Sequence, residues 1–428
     1  PLLMKNNILY GIDFGTTNSV LAIYDESKGE IIDTISVPSI LYFPENHDPT
    51  NPISYYVGNE AILQYVQEGM KGRFMKSIKR VLPNSSFLET RIHNQKYTAA
   101  DLVSLILKEL KEKADKIVGF SCEKVVMGRP VFFDDHNTLK DDLAQKRLLQ
   151  AAQKVGFTEV RFQFEPIGAA FLYERTIKHK EKVLVADLGG GTTDFTYIAL
   201  DPTKINSTER RKDIIATGGV YVGGDSFDST FMWEKGTPYF GRGLLYESMP
   251  GKFLDVPLVF FSNICSWEKM NFYNGLKVKL DLQKYYNYTN KNEKLAKLIT
   301  LTENNLGYSI FQSIEKTKIA LSKENKTDFK YVSHEICIDE TITLEAYNAI
   351  IEKDVSKISV YLESFLEKNN ISPSDIDTLF LTGGTSLVTI IQTLFKTKFP
   401  NVTVKSDNNF ISVANGLAYC GYLFDVEN

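Results

Sequence analysis

The chain has 428 residues, 43% of them hydrophobic and 24% charged, with a formal net charge of −4. That balance suits a globular protein large enough for two lobes, and its slight acidity argues against a nucleic-acid or anionic-membrane partner. No run approaches the ~18 continuous apolar residues of a membrane span, and Cys122, Cys265, Cys337 and Cys420 share neither a metal-ligand spacing nor a disulfide framework, so a reducing, cytoplasmic setting is expected.

Residues 1–10 lack the basic flank and apolar run of a signal peptide, and Met4 is the expected first natural residue. Residues 8–13 read as a strand, Gly15-Thr16-Thr17-Asn18 as a turn and 20–24 as a returning strand. Residues 26–97, broken by five prolines, read as irregular. A helix is predicted from Thr98, whose hydroxyl can cap it, with Leu102, Leu105, Ile106 and Leu110 on its apolar face. Its Lys/Glu run at 108–116 reads as a solvated face.

A buried strand at 124–127 and a helix over 138–155 follow, the helix closed by Gly156. Then come a strand at 160–164, a helix at 167–177, and a second strand–turn–strand unit: 183–187, Gly189-Gly190-Gly191-Thr192-Thr193, then 195–200. Residues 230–295 are irregular and rich in aromatics, including Trp233, Phe240, Phe260, Phe261, Trp267, Phe272, Tyr273 and Tyr285. They suit either a core with an irregular insertion or a partner-binding surface. Long helices are expected at 304–321 and 344–368, then a strand at 375–381 entering Gly383-Gly384 and a further helix. Alternating strands and helices predict an α/β protein.

The two glycine–threonine turns share one grammar: strand, acid, glycine turn, paired threonines, strand. Glycine lets backbone N–H groups approach a phosphate closely, and threonine adds hydroxyl donors. The paired acids, Asp13 and Asp187, suit Mg²⁺, which prefers oxygen ligands and keeps part of its water. Two such turns suggest two similarly built lobes facing one ligand. The Gly-x-x-x-x-Gly-Lys-Ser/Thr phosphate loop is absent. The scattered histidines His47, His93, His136, His179 and His334 receive no metal or catalytic role.

Residues 11–19 and 185–194 resemble the two phosphate loops of the heat shock protein 70 family. Further resemblances follow in family order: Glu165-Pro166-Ile167-Gly168, Gly223-Gly224-Asp225-Ser226-Phe227-Asp228, the 315–322 helix segment, and Leu381-Thr382-Gly383-Gly384-Thr385. Together they span residues 8 to 420. The resemblance implies an α/β, actin-like ATPase fold, a duplicated ribonuclease H-like pattern with a central nucleotide cleft. Its lobes would be 4–180 and 181–428, with an insertion near 230–300.

The resemblance also implies the site roles. Gly15, Thr16, Thr17, Asn18, Gly189, Gly190, Gly191 and Thr192 would hold phosphates, and Asp13 and Asp187 the magnesium water shell. Lys79, Glu165 and Asp194 would position or deprotonate the attacking water, with Thr192 at the γ-phosphate. Glu315, Lys318 and Ser322 would bind ribose and adenine, with Ile319 and Leu387 beside the base and Gly383 and Gly384 over the nucleoside, and Gly223, Gly224 and Thr385 would complete the nucleotide site. The expected ligands are ATP, ADP and Mg²⁺, and the expected partners a protein client or co-chaperone.

Three departures stand out. The chain stops at Asn428, before any peptide-binding domain, and this short form is expected to be natural. Ile319 and Leu387 replace the arginines usual beside the adenine, which predicts an apolar adenine sandwich and weaker ADP binding. Gly128-Arg129-Pro130 replaces smaller apolar residues, a feature that, with the aromatic insertion, resembles the short YegD-like branch of the family. The leading function is a chaperone-like ATPase switch. The alternatives are a nucleotide-sensing module with negligible turnover, a metabolite kinase of the same fold, and a filament-forming relative.

Overall fold

The computed structural model describes residues 7–46, 54–134, 137–205, 207, 210–270, 275–406 and 412–420. Met4, Asn428, His47, His136, Phe272 and Tyr273 lie outside these described residues, as does the side chain of Trp267.

Two five-stranded sheets carry the molecule, and they repeat one design. In the first, strand Ile8–Phe14 pairs antiparallel with Asn18–Asp25, which pairs antiparallel with Glu30–Pro38. On its other edge Ile8–Phe14 runs parallel to Lys124–Arg129, itself parallel to Glu159–Phe164. In the second, Glu181–Leu188 pairs antiparallel with Thr193–Leu200 and this with Ile214–Val220, while Thr378–Thr382 and Thr403–Ser406 continue in parallel on the far side. The shared grammar of the two turns therefore reflects a shared sheet order, with each turn closing the central hairpin of its sheet.

The central strands are apolar on both faces because helices cover both. Helix Ala99–Val118 starts where expected: Thr98 and Asp101 cap each other's backbone N–H groups, and Gly119 ends it at φ 86°. Within its charged run Lys108 and Glu112 are solvated, but Lys111 is buried against Asp115 at 2.6 Å, so the expected solvated face is only partly so. Helix Glu165–Glu174 carries a cleft residue at its first position and packs against the last described helix, Ser412–Cys420. The two backbones touch at glycines: a methyl group at Gly416 would lie 1.7 Å from the Gly168 carbonyl oxygen. This last described helix also packs on Ile8–Phe14 and Asn18–Asp25, so it returns to the first sheet.

Residues 26–97 are more ordered than expected. They hold the edge strand Glu30–Pro38, a small sheet of Leu41–Phe43, Tyr56–Val57 and Arg73–Met75, and helix Gly58–Gln67. The edge strand is largely half-exposed, which removes the clean alternation that would have marked it. The aromatic stretch resolves into helices Leu258–Ile264 and Leu276–Tyr288 beside the hairpin Leu245–Met249 and Lys252–Asp255. Phe240, Phe260 and Phe261 join the second core, while Phe253 stays exposed. Among the described residues no helix is long and apolar enough to cross a membrane.

Candidate functional site

The two glycine–threonine turns meet. A methyl group at Gly190 would lie 3.3 Å from Thr17 Oγ1, and one at Gly191 would lie 3.4 Å from Thr16 Oγ1. Between and beside them opens a cleft of about 390 Å³, within the range of small-molecule sites. The second turn is anchored from behind. Gly224 N–H donates to the Gly189 carbonyl at 3.1 Å, Asp225 N–H to the Gly190 carbonyl at 2.8 Å, and Thr385 Oγ1 to the Gly189 carbonyl at 2.8 Å.

The floor beneath the turns is charged. Lys79 Nζ donates to Glu165 Oε1 at 2.6 Å, with Glu165 buried and Lys79 partly so. Burial alone would lower the Lys79 pKa, but Glu165, Asp13 and Asp187 outweigh it and hold the lysine above its ordinary value. Burial, then Glu165, pushes Asp13 well above the carboxylate range, and burial with Glu165 and Asp194 pushes Asp187 up to about 8. Three acids around one lysine form a site short of positive charge.

Asp13 Oδ1 is buried and has no hydrogen-bond partner. Such an orphaned acceptor is what a cation or its water would satisfy. Among the described residues no three His, Cys, Asp or Glu side chains are grouped to hold a metal ion directly. Asp13 and Asp187 with a bound polyphosphate instead suit an ion that keeps several waters, as Mg²⁺ does.

The cleft gathers nearly every residue expected from the sequence. Asp13, Gly15, Thr16, Thr17, Asn18, Lys79, Glu165, Asp187, Gly189, Gly190, Gly191, Thr192 and Gly224 line the end where the two turns meet. Glu315, Lys318, Ile319, Ser322, Gly383, Gly384, Thr385 and Leu387 line the other.

Two expected residues stand behind the wall. Asp194 is 1% exposed, with Oδ2 accepting from Thr192 Oγ1 at 2.8 Å and Oδ1 from Val131 N–H at 3.0 Å. Burial and Glu165 push its pKa up to about 7 against the lowering effect of those two donors. It can orient Thr192 but is not placed to touch a ligand. Gly223 is absent from the lining because it packs against the second turn, where a methyl group would lie 2.5 Å from the Gly190 carbonyl oxygen.

The opposite end is looser. Ile319 is 52% exposed and Leu387 38% exposed. Lys318 pairs with Asp228 at 2.8 Å, and Glu315 faces Lys76 at 3.7 Å. Ser322 Oγ donates to the Ile319 carbonyl at 2.6 Å, and the Thr385 hydroxyl serves the second turn, so neither hydroxyl is held toward the cleft.

Sequence reasoning passed over Lys76, Arg80, Tyr221, Asp225 and Asp228 as site residues, although all five line the cleft. Arg80 sits over the Tyr221 ring at 5.2 Å. Asp225 and Asp228 follow Gly223-Gly224 on one helix turn, and that spacing was the available signal. Nothing local marks Tyr221, which is brought in by the end of strand Ile214–Val220.

A sequence model described as Hsp70 protein matches residues 9–234 and 281–425. A protein named "Chaperone protein DnaK" from Thermosipho melanesiensis is 27% identical over 433 residues, covering 97% of this chain and 59% of its own length. Its namesake from Thermotoga neapolitana is also 27% identical with the same coverage. "Chaperone protein dnaK" from Cyanidium caldarium is 24% identical, covering 93% of this chain and 58% of its own length. The chain thus spans about 59% of the length of these curated relatives.

Proposed function

Since this chain belongs to the Hsp70 protein family, with its actin-like ATPase fold, we propose that it binds ATP between its lobes and hydrolyses it slowly as a conformational switch. The observation that carries the reading is the convergence of two similarly built glycine–threonine turns on a largely enclosed Lys79–Glu165 pair 2.6 Å apart. Phosphoryl transfer asks chiefly for positioning and charge neutralisation. The backbone of the two turns and the hydroxyls of Thr16 and Thr17 donate to the phosphates, and Thr192, whose proton is held by Asp194, presents Oγ1 as an acceptor beside the terminal phosphate. Lys79 holds the attacking water near the terminal phosphate, and Glu165 beside it accepts that water's proton. Asp194 acts through Thr192, keeping the hydroxyl oriented. Asp13 and Asp187 would hold a hydrated Mg²⁺, which when bound would neutralise phosphate charge.

Residues 4–180 and 181–428 form the two lobes of this proposal, with the last described helix, Ser412–Cys420, returning to pack on the first. The switch is their closure on a nucleotide that bridges both turns and their opening after hydrolysis. A cytoplasmic setting and a protein client or co-chaperone belong to the same proposal. The chaperone names of the relatives favour this reading over a metabolite kinase.

Phosphate release after mixing the protein with ATP and Mg²⁺ tests it. Slow release, unchanged by added sugars, is expected. Sugar-dependent ADP formation would support the kinase instead, and tight nucleotide binding with no release would support a nucleotide-sensing module.

A further inference from the structure

Arg129 is a buried guanidinium in a place where no ligand reaches it. It lies at the end of strand Lys124–Arg129, is 6% exposed, and does not line the cleft. Yet it is one of the most heavily bonded side chains near the site. Its Nη2 pairs with Asp141 Oδ2 at 2.5 Å, and its Nη1 donates to Gln145 Oε1. Both partners belong to helix Thr138–Lys154. Its Nε donates to the Pro130 carbonyl at 3.1 Å and its Nη2 to the Val131 carbonyl at 3.3 Å. It also lies over the rings of Phe133, at 5.1 Å, and Phe164, at 5.7 Å.

These contacts converge on the catalytic floor from two sides. Pro130 and Phe133 are cleft-lining residues, and Val131 N–H is the donor that holds Asp194. Phe164 immediately precedes Glu165. Asp141 completes the knot, since its Oδ1 accepts from Phe133 N–H at 2.7 Å. One arginine therefore fastens the 130–133 segment to a rigid helix and packs on the residue that leads into Glu165. The planar fork explains the choice of residue, because only arginine can bond two carbonyls, an amide and a carboxylate at once.

We propose that Arg129 is a positioning residue for the hydrolytic step. It fixes the Pro130–Phe133 segment so that Val131 N–H holds Asp194, and Asp194 in turn orients Thr192. This rests on the hydrolysis reading above. It predicts a loss of turnover without a loss of nucleotide affinity, because Arg129 stands behind the site.

The test is a double-mutant cycle with Arg129→Gln and Asp194→Asn, read by single-turnover ATP hydrolysis and by ADP affinity. Misplacement of a reacting group by about an ångström costs up to on the order of 100-fold in rate. Arg129→Gln is expected to slow hydrolysis by roughly 10- to 100-fold while ADP affinity stays within about twofold. On the Asp194→Asn background the same substitution is expected to add almost nothing, because the group it serves is gone. A purely structural role would not cancel in this way.

Should Arg129→Gln fail to fold, Asp141→Asn removes the same tie at a less buried position, and it must show the same cancellation. Unchanged hydrolysis in the folded variant overturns the inference, as do rate losses that multiply with Asp194→Asn or a parallel collapse of ADP affinity. Absence of turnover in the unmodified chain overturns the hydrolysis reading, and this inference with it. Turnover there with an unaffected variant overturns the inference alone.

Discussion

The two ends of the cleft are built on different principles. At the end where the two turns meet, Lys79 pairs with buried Glu165, buried Asp194 is held by Thr192 and Val131, and Asp13 and buried Asp187 crowd beside them. At the nucleoside end, half-exposed Ile319 and Leu387 face open space, and the polar groups are engaged with one another or with their own backbone. The phosphate end has little freedom because desolvated charges tolerate few arrangements. The nucleoside end rests on apolar surface, which tolerates many.

The sharpest way to break this contrast is to disturb a turn. A methyl group at Gly15 would lie 2.1 Å from the Asn18 carbonyl oxygen, so Gly15→Ala must open the first turn. Nucleotide binding is expected to be lost, with a stability cost of about 1–3 kcal/mol measured by chemical denaturation. Retained ADP binding would show that the first turn is not a rigid cradle.

A smaller effect follows from the crowded acids. Asp187 is pushed up to about 8 and Asp194 up to about 7, both above their unfolded value. The folded state therefore holds more protons between the unfolded and folded values, and the stability these groups contribute is present at low pH and lost as pH rises through about 7 to 8. The nucleotide-free protein with metal chelated is expected to melt at a lower temperature at pH 8 than at pH 6. Added Mg²⁺ and ADP should flatten that slope. An identical slope with and without them would remove the acids from the binding site.

The smallest effect lies at the other end. Restoring a cation beside the base, as Ile319→Arg, is expected to tighten ADP binding by about 0.5–2 kcal/mol, or roughly two- to thirtyfold, by calorimetry. Sub-micromolar ADP affinity in the unmodified chain would contradict the loose apolar clamp.

The same contrast governs what the sequence revealed. The phosphate end was legible because close backbone approach demands glycine and charge demands particular residues, and both leave marks at fixed spacing. The long helix expected at 344–368 is present as Leu344–Lys368, and the structure shows Thr343 capping it. The strand Glu30–Pro38 was not, because an edge strand wet on part of both faces carries no clean alternation. Lys111 read as solvated because its run looked polar, and only the fold shows it buried on Asp115. Arg80 and Tyr221 were missed because their partnership spans distant segments of the chain. Asp194 was found, but its place behind Thr192 could come only from the three-dimensional register.

The central claim is that Lys79 and Glu165 act as one hydrolytic unit beneath the two turns. Single-turnover hydrolysis of ATP with Mg²⁺, compared between the unmodified chain and Lys79→Ala, tests it most directly. The account predicts slow hydrolysis in the former and a loss on the order of 100-fold or more in the latter, with nucleotide still bound. Equal rates in the two proteins, or binding without hydrolysis in both, would contradict it.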